Sequence, residues 1–366
     1  MKTEQGLTLI ELLIAIAIFS ILSAAITKIY ISQRRLHKNQ IITVEIQQNA
    51  RTSLFMLEKE IRMAGHNPSE NVTGTDGMDN DLDGVADEID ENDQVNDGFD
   101  NDCLNAADDN NEWIGIKVAT PDTIRFTMDI SGGEVDGQDN DNDSITNEAD
   151  EAAFGDGFIT YPWNNCAANC AAAGDPCYPN EDITFGFAAA DDANFDGIAD
   201  AGAAPLRRID NYDVLRGNPA DDFQIIANDI HAIGFAYAFD NDMDGWMDFN
   251  DLNGNTIHDT NEPILWAVDS DGDGILDISL DTDGDGDIDI NDTAGGVALN
   301  TTSIATNVNI YRIRAVRVWL LARSGNQTTG AVDNNTYVLG LARVTPNDRF
   351  QRRLVTTTIH CRNQGL

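Results

Sequence analysis

Between residues 67 and 300 the chain carries 56 acidic and 5 basic groups, a local net charge of −51 that restricts every possible fold. The flanks are different: residues 1–66 hold 8 basic and 5 acidic groups, and residues 301–366 hold 9 basic and 2 acidic. Two carboxylates about 4 Å apart repel by roughly 4 kcal/mol at an effective dielectric near 20. Dozens of such pairs exceed the ~5–15 kcal/mol of net stability a domain has. A segment this acidic therefore stays unfolded or is neutralised by cations. Its sign excludes nucleic-acid binding through phosphate neutralisation. The 366 residues leave room for about two domains, and the 42% apolar content is enough for a core.

The positions of the acids decide between the two outcomes. They recur as Asp-x-Asp/Asn-x-Asp/Asn-Gly-apolar-x-Asp. One copy is Asp79, Asp81, Asp83, Gly84, Val85, Asp87, with Asp90 at the twelfth place. Others run Asp192, Asn194, Asp196, Gly197, Ile198, Asp200, and Asp240, Asp242, Asp244, Gly245, Trp246, Asp248, Asp251. A further copy is Asp251, Asn253, Asn255, Ile257, Asp259, Glu262. Two follow in tandem: Asp269, Asp271, Asp273, Gly274, Ile275, Asp277, then Asp281, Asp283, Asp285, Gly286, Asp287, Asp289, Asp292. A weaker copy, Asp139, Asp141, Asp143, Ile145, Asp150, has Ser144 in the glycine place, and Asp100-Asn-Asp102 is a remnant.

Side chains at positions 1, 3 and 5 of a tight loop converge on one point. Glycine at 6 permits the reversal, the carbonyl at 7 adds an oxygen, position 9 often acts through water, and a carboxylate at 12 closes a shell of hard donors. That donor number suits Ca2+ better than Mg2+, which prefers a smaller octahedron and keeps its water. A disordered acidic linker does not account for the apolar position 7, found in Val85, Ile145, Ile198, Trp246, Ile257 and Ile275. Those side chains are expected to pin each loop to a core. The sequence thus predicts several structural Ca2+ ions. No helical pattern flanks the loops as in an EF-hand, and the tandem pair looks more like thrombospondin type 3 repeats.

The amino terminus is a separate constraint. From Leu7 to Ile26 the only charged residue is Glu11. Twenty such residues in a helix span the ~30 Å hydrocarbon layer. A buried carboxylate there is costly and needs a partner. The helical pattern continues through Ile46, Ala50, Leu54, Leu57, Ile61 and Ala64, then meets Gly65 and Pro68. Basic residues follow the apolar run (Lys28, Arg34, Arg35, Lys38) instead of preceding it, so flanking charge does not set the topology.

The pattern Gly6-Leu-Thr-Leu-Ile-Glu11 resembles the type III signal of type IV prepilins. That resemblance implies cleavage after Gly6 by a prepilin peptidase, methylation of Leu7, and pairing of Glu11 with the new amine of a neighbouring subunit. Ile46-Gln-Gln-Asn-Ala-Arg51, Leu57 through Gly65, Val316 through Arg323 and Arg352 through Arg362 look like the PilW group of minor pilins. The acidic middle is no general feature of that group.

Short alternating runs predict antiparallel strands at 113–118, 123–130, 183–187, 206–209, 223–239, 310–321 and 354–359. The expected fold is α+β: a long N-terminal helix on an antiparallel sheet, with metal-closed loops as insertions. The expected division is a leader (1–6), membrane and assembly helix (7–34), head-packing helix (35–66), acidic loop region with strands (67–300) and C-terminal strands (301–366). Cys166, Cys170 and Cys177 match no common zinc spacing and suggest a disulfide staple. With Cys103 and Cys361 the count is odd, leaving one thiol over. His37, His66, His231, His258 and His360 are dispersed and accompany no nucleophile motif, so an enzyme is not expected. The resulting expectation is a minor pilin with its head outside the inner membrane and later in a pilus, with other pilins as partners. Alternatives are a J-type pseudopilin of type II secretion and a calcium-dependent tip adhesin.

Overall fold

The computed structural model describes residues 9–65, 115–128, 182–209, 223–241, 245–250, 262–292, 308–328 and 331–361. Helix α1 (Leu9–Ile61) runs unbroken for 53 residues, about 80 Å. No proline or glycine interrupts it. Its hydroxyls at Ser20, Thr27, Thr43 and Ser53 donate to carbonyls one turn earlier, so they leave no unsatisfied donor. The first part is long and apolar enough to cross a membrane, and none of its most hydropathic window is buried by the head. Farther on, Ile46, Ala50, Ser53, Leu57 and Ile61 are buried against the sheet. Beyond Ile61 a turn leads to Gly65 at φ +74°, whose N–H donates to the Thr127 carbonyl.

The strands, in chain order, are β1 (Ile116–Ala119), β2 (Ile124–Thr127), β3 (Asp182–Gly186), β4 (Ala204–Ile209), β5 (Phe223–Phe239), β6 (Ala267–Val268), β7 (Ile275–Leu276), β8 (Ile278–Ser279), β9 (Val308–Asn309), β10 (Ile313–Arg323), β11 (Tyr337–Leu339), β12 (Ala342–Val344) and β13 (Arg352–His360). The main sheet is antiparallel, in the order β1-β2-β3-β4-β5-β10-β13, with β6 attached to β5 and β8 to β6. All seven runs expected from alternation contain strands; the runs at 113–118 and 123–130 extend outside the described residues. The β11–β12 hairpin was not expected. It lies so close to β5 that a Cβ on Gly234 would stand 2.3 Å from the Leu339 carbonyl oxygen.

The direction of α1 across the sheet follows from three contacts. Thr43 bonds Gln351 beside β13, Glu60 pairs with Arg208 of β4, and Gly65 reaches β2. The helix therefore passes five strand spacings, ~24 Å, in ~33 Å of its own length. It runs more across the strands than along them; Ile42 already packs against the core, and the apolar first part of the helix projects beyond the β13 edge. Among the strands, Arg125 and the fully buried Asp182 form a bidentate pair at 2.7 and 2.8 Å.

β5 positions the acidic loops. One side pairs with β10 from Ile230 to Phe239. The other side is completed piece by piece. Phe223 through Ile230 pair with β4, and Ala232 bridges Ile198. Phe235 N–H donates to the Pro121 carbonyl, Tyr237 pairs with Ala267 of β6, and the Phe239 carbonyl accepts from Asp248 N–H. Loops from the acidic stretch thus serve as neighbours of the central strand.

Candidate functional site

Four acidic loops have both position 1 and position 6 among the described residues, and they share one hydrogen-bond pattern. The carboxylate at position 1 accepts from the N–H of the glycine at position 6: Gly197 to Asp192 at 2.9 Å, Gly245 to Asp240 at 3.1 Å, Gly274 to Asp269 at 2.9 Å and Gly286 to Asp281 at 2.7 Å. These glycines have φ of +77°, +85°, +86° and +90°, a region where a side chain is strained. The carboxylate at position 5 accepts from N–H at position 7 in three loops: Asp196 from Ile198, Asp273 from Ile275, and Asp285 from Asp287. Each bond ties a carboxylate to the backbone of its own loop.

Position 9 has a role that spacing alone did not disclose. Asp200, Asp248 and Asp277 accept from the N–H at position 2, at 3.0, 3.1 and 2.8 Å, and so tie the exit of each loop to its entrance. In the Asp281 loop Asp292, at position 12, does this for Thr282, while Asp289 donates its own N–H to Asp292. A polar or small residue at position 2 followed by Asp at 9 was the available signal.

Oxygen atoms of Asp269, Asp271 and Asp273 all lie within 4.8 Å of one another, and so do those of Asp281, Asp283 and Asp285. Burial raises the Asp192 carboxyl to about 6, and the charges of Asp196 and Asp122 add to the rise. Asp269 and Asp281 are also raised, by burial first, then by neighbouring carboxylates, Asp273 in one case and Asp292 with Asp283 in the other. Convergent hard oxygens whose negative charge is disfavoured in place are a donor set that fits a divalent cation of the calcium type.

The position-7 expectation holds in one loop, where Ile198 is half-buried, packs against the core and bridges Ala232 of β5. Ile275 is tied in through its backbone, which pairs with Asn309 of β9. Trp246 overturns the expectation: this side chain is 66% exposed. The Asp240 loop rejoins β5 through Asp248, and the tryptophan stays on its outer side. Glu262 is buried. Asp242, Asp244, the Asp79 and Asp139 loops, and Asp251 to Asp259 lie outside the described residues, as do Gly6, Leu7, Cys103, Cys166, Cys170 and Cys177. Glu11 sits in the first turn of α1. Cys361 is a free, buried thiol.

Residues 1–27 match the prokaryotic N-terminal methylation motif, and residues 201–363 match the type IV pilus-assembly protein W family. The chain is a PilW-type type IV pilin. The second match takes in β4 through β13, the part of the head built around β5. No curated protein and no solved structure matches the chain. As a PilW-type pilin it is a minor, assembly subunit of a type IV pilus and interacts with other pilus components. Its N-terminal motif and apolar helix fit anchoring in the inner membrane before incorporation into the fibre. Both families are structural, not enzymatic.

Proposed function

We propose that this pilin works in the minor-pilin complex that primes or caps the fibre, with an exported head kept in shape by several bound Ca2+ ions. Prepilin peptidase would cut after Gly6 and leave a methylated Leu7, and Glu11 would pair with the corresponding amine of a neighbour. The match to the assembly protein W family favours the pilus over a type II secretion filament. The observation that carries the calcium reading is the shared bonding of the Asp192, Asp240, Asp269 and Asp281 loops, the first three of them mounted on or beside β5. Bound Ca2+ would supply the positive charge that these converging carboxylates lack. Asp269, Asp271, Asp273 and Asp277 would hold one ion, and Asp281, Asp283, Asp285 and Asp292 another, with the carbonyls of Ile275 and Asp287.

Two measurements test the proposal. Elemental analysis of the purified full chain in detergent is expected to find several calcium atoms per molecule; a calcium-free, folded sample rejects the ion reading. Replacement Glu11→Ala is expected to preserve membrane insertion and reduce incorporation into fibres, read by immunoblot of sheared pili. Normal incorporation rejects the pairing role.

A further inference from the structure

At the end of the head where α1 leaves the sheet there is a cavity of about 350 Å³. Thr43 and Gln47 of α1 form one wall, and Tyr337, Phe350, Arg352 and Arg353 another. The floor is internally satisfied. The Arg352 side chain is fully buried and donates to both Asp348 oxygens at 2.6 and 2.7 Å and to His231 Nδ1 at 2.7 Å. Asp333 lies 3.5 Å from Arg352 and accepts the Tyr337 hydroxyl at 3.0 Å. The rim differs. Arg353, which lines the cavity, and Arg349, next in the chain to the lining residue Phe350, are exposed, and among the described residues neither forms an ion pair. Among the described residues these two cations stand apart in a chain with 63 acidic and 22 basic residues.

Beside this rim runs β13, a terminal strand of the main sheet among the described residues. It pairs with β10 over nine residues without a break in register. Val355 through Ile359 are all β-branched, and the strand contains no proline. A long, regular edge of this kind is a template for a further strand. The opposite edge, β1, has only four residues and an irregular register.

We propose that this corner receives an extended acidic segment of a neighbouring subunit. Its backbone would extend the sheet along β13, and its carboxylates would meet Arg349 and Arg353. A second β13 does not fit. Antiparallel pairing of two such edges needs a two-fold axis normal to the sheet, which would point the second α1 the opposite way; two helices anchored in one membrane cannot adopt that. Parallel pairing would set Arg353 beside Arg353, and adjacent like charges repel.

The test uses the full chain in detergent with calcium present, and a short fluorescein-labelled peptide of alternating Asp and Val. Fluorescence anisotropy is expected to show saturable binding that weakens with added salt. In the double variant Arg349→Glu, Arg353→Glu the affinity is expected to fall by about ten-fold or more. Both side chains are exposed, so its melting curve should match that of the parent. The pair Arg349→Gln, Arg353→Gln is expected to weaken binding in the same direction. Absent binding, equal affinity for an Asn–Val peptide, or unchanged affinity in both double variants overturns the proposal. So does capture of anionic-lipid vesicles at this rim without peptide binding. Because calcium is present throughout and folding is followed separately, failure here is distinct from failure of the ion reading.

Discussion

Stripping calcium from the head should lower its melting temperature by an amount that the loop geometry sets. Four loops share the bonding between position 1 and the position-6 glycine. Extracellular calcium loops bind at ~10⁻⁴–10⁻³ M. At ~2 mM ion each such site stabilises the folded state by about 0.7–1.8 kcal/mol. Four together contribute about 3–7 kcal/mol, and a head of ~300 residues shifts by about 1.6 °C per kcal/mol. The expected loss on EDTA treatment is therefore about 4–12 °C. The assay is near-ultraviolet circular dichroism of the full chain in detergent, which follows the buried Trp266 and Trp319. Calcium should restore the transition, and magnesium should not. Asp273→Asn keeps an oxygen for the Ile275 N–H but removes a charge, and it should cost about 1–3 °C of the calcium-dependent shift. Identical melting of calcium-loaded and EDTA-treated protein, both compact, would refute the reasoning.

Three further outcomes are expected. Gly234→Ala forces a Cβ to within 2.3 Å of the Leu339 oxygen. It should destabilise the head by about 2–3 kcal/mol, read as a lower urea midpoint at unchanged slope. His231 is depressed to about 4, by burial first and then by Arg352 and Arg323. The folded state therefore binds fewer protons than the unfolded one, and stability is lost as pH falls from ~6.5 toward ~4, by about 2–3 kcal/mol. His231→Gln should remove that portion of the pH dependence, which is the quantity to compare by chemical denaturation at each pH. Burial pushes the Cys361 thiol up to about 12. Mass-spectrometric mapping after iodoacetamide treatment at pH 8 should find Cys361 unmodified until denaturant is added.

Most of the frame was legible in the sequence because its signals are local. The β5 run from Phe223 to Phe239 is long, apolar and bounded by polar turns, and the strand occupies those residues. The α1 stripe was legible, with Leu54 half-buried against the core as expected, but it left out Ser53, which is buried beside it. Its hydroxyl donates to the Asn49 carbonyl within the helix, which removes the penalty for burial. The β11–β12 hairpin was missed because three-residue strands carry no period. Its place is fixed by the bare Gly234 surface, a feature of the tertiary structure. The loops were found through the spacing of Asp and Gly. The direction of Trp246 was not, because it depends on how Asp248 rejoins β5 and not on residue type. The closing bonds of Asp200, Asp248, Asp277 and Asp292 link residues seven or ten apart, and no ligand rule had assigned those residues to backbone donors.

One strand with partners on both flanks has a consequence for how the head tolerates change. Lengthening a segment that merely joins two loops alters nothing that β5 touches. Inserting a single residue inside β5 would turn every side chain beyond it to the other face, and would offset β10, Ile198, Ala267 and Asp248 in one step. Variation should be cheap in the acidic insertions and nearly forbidden along those seventeen residues.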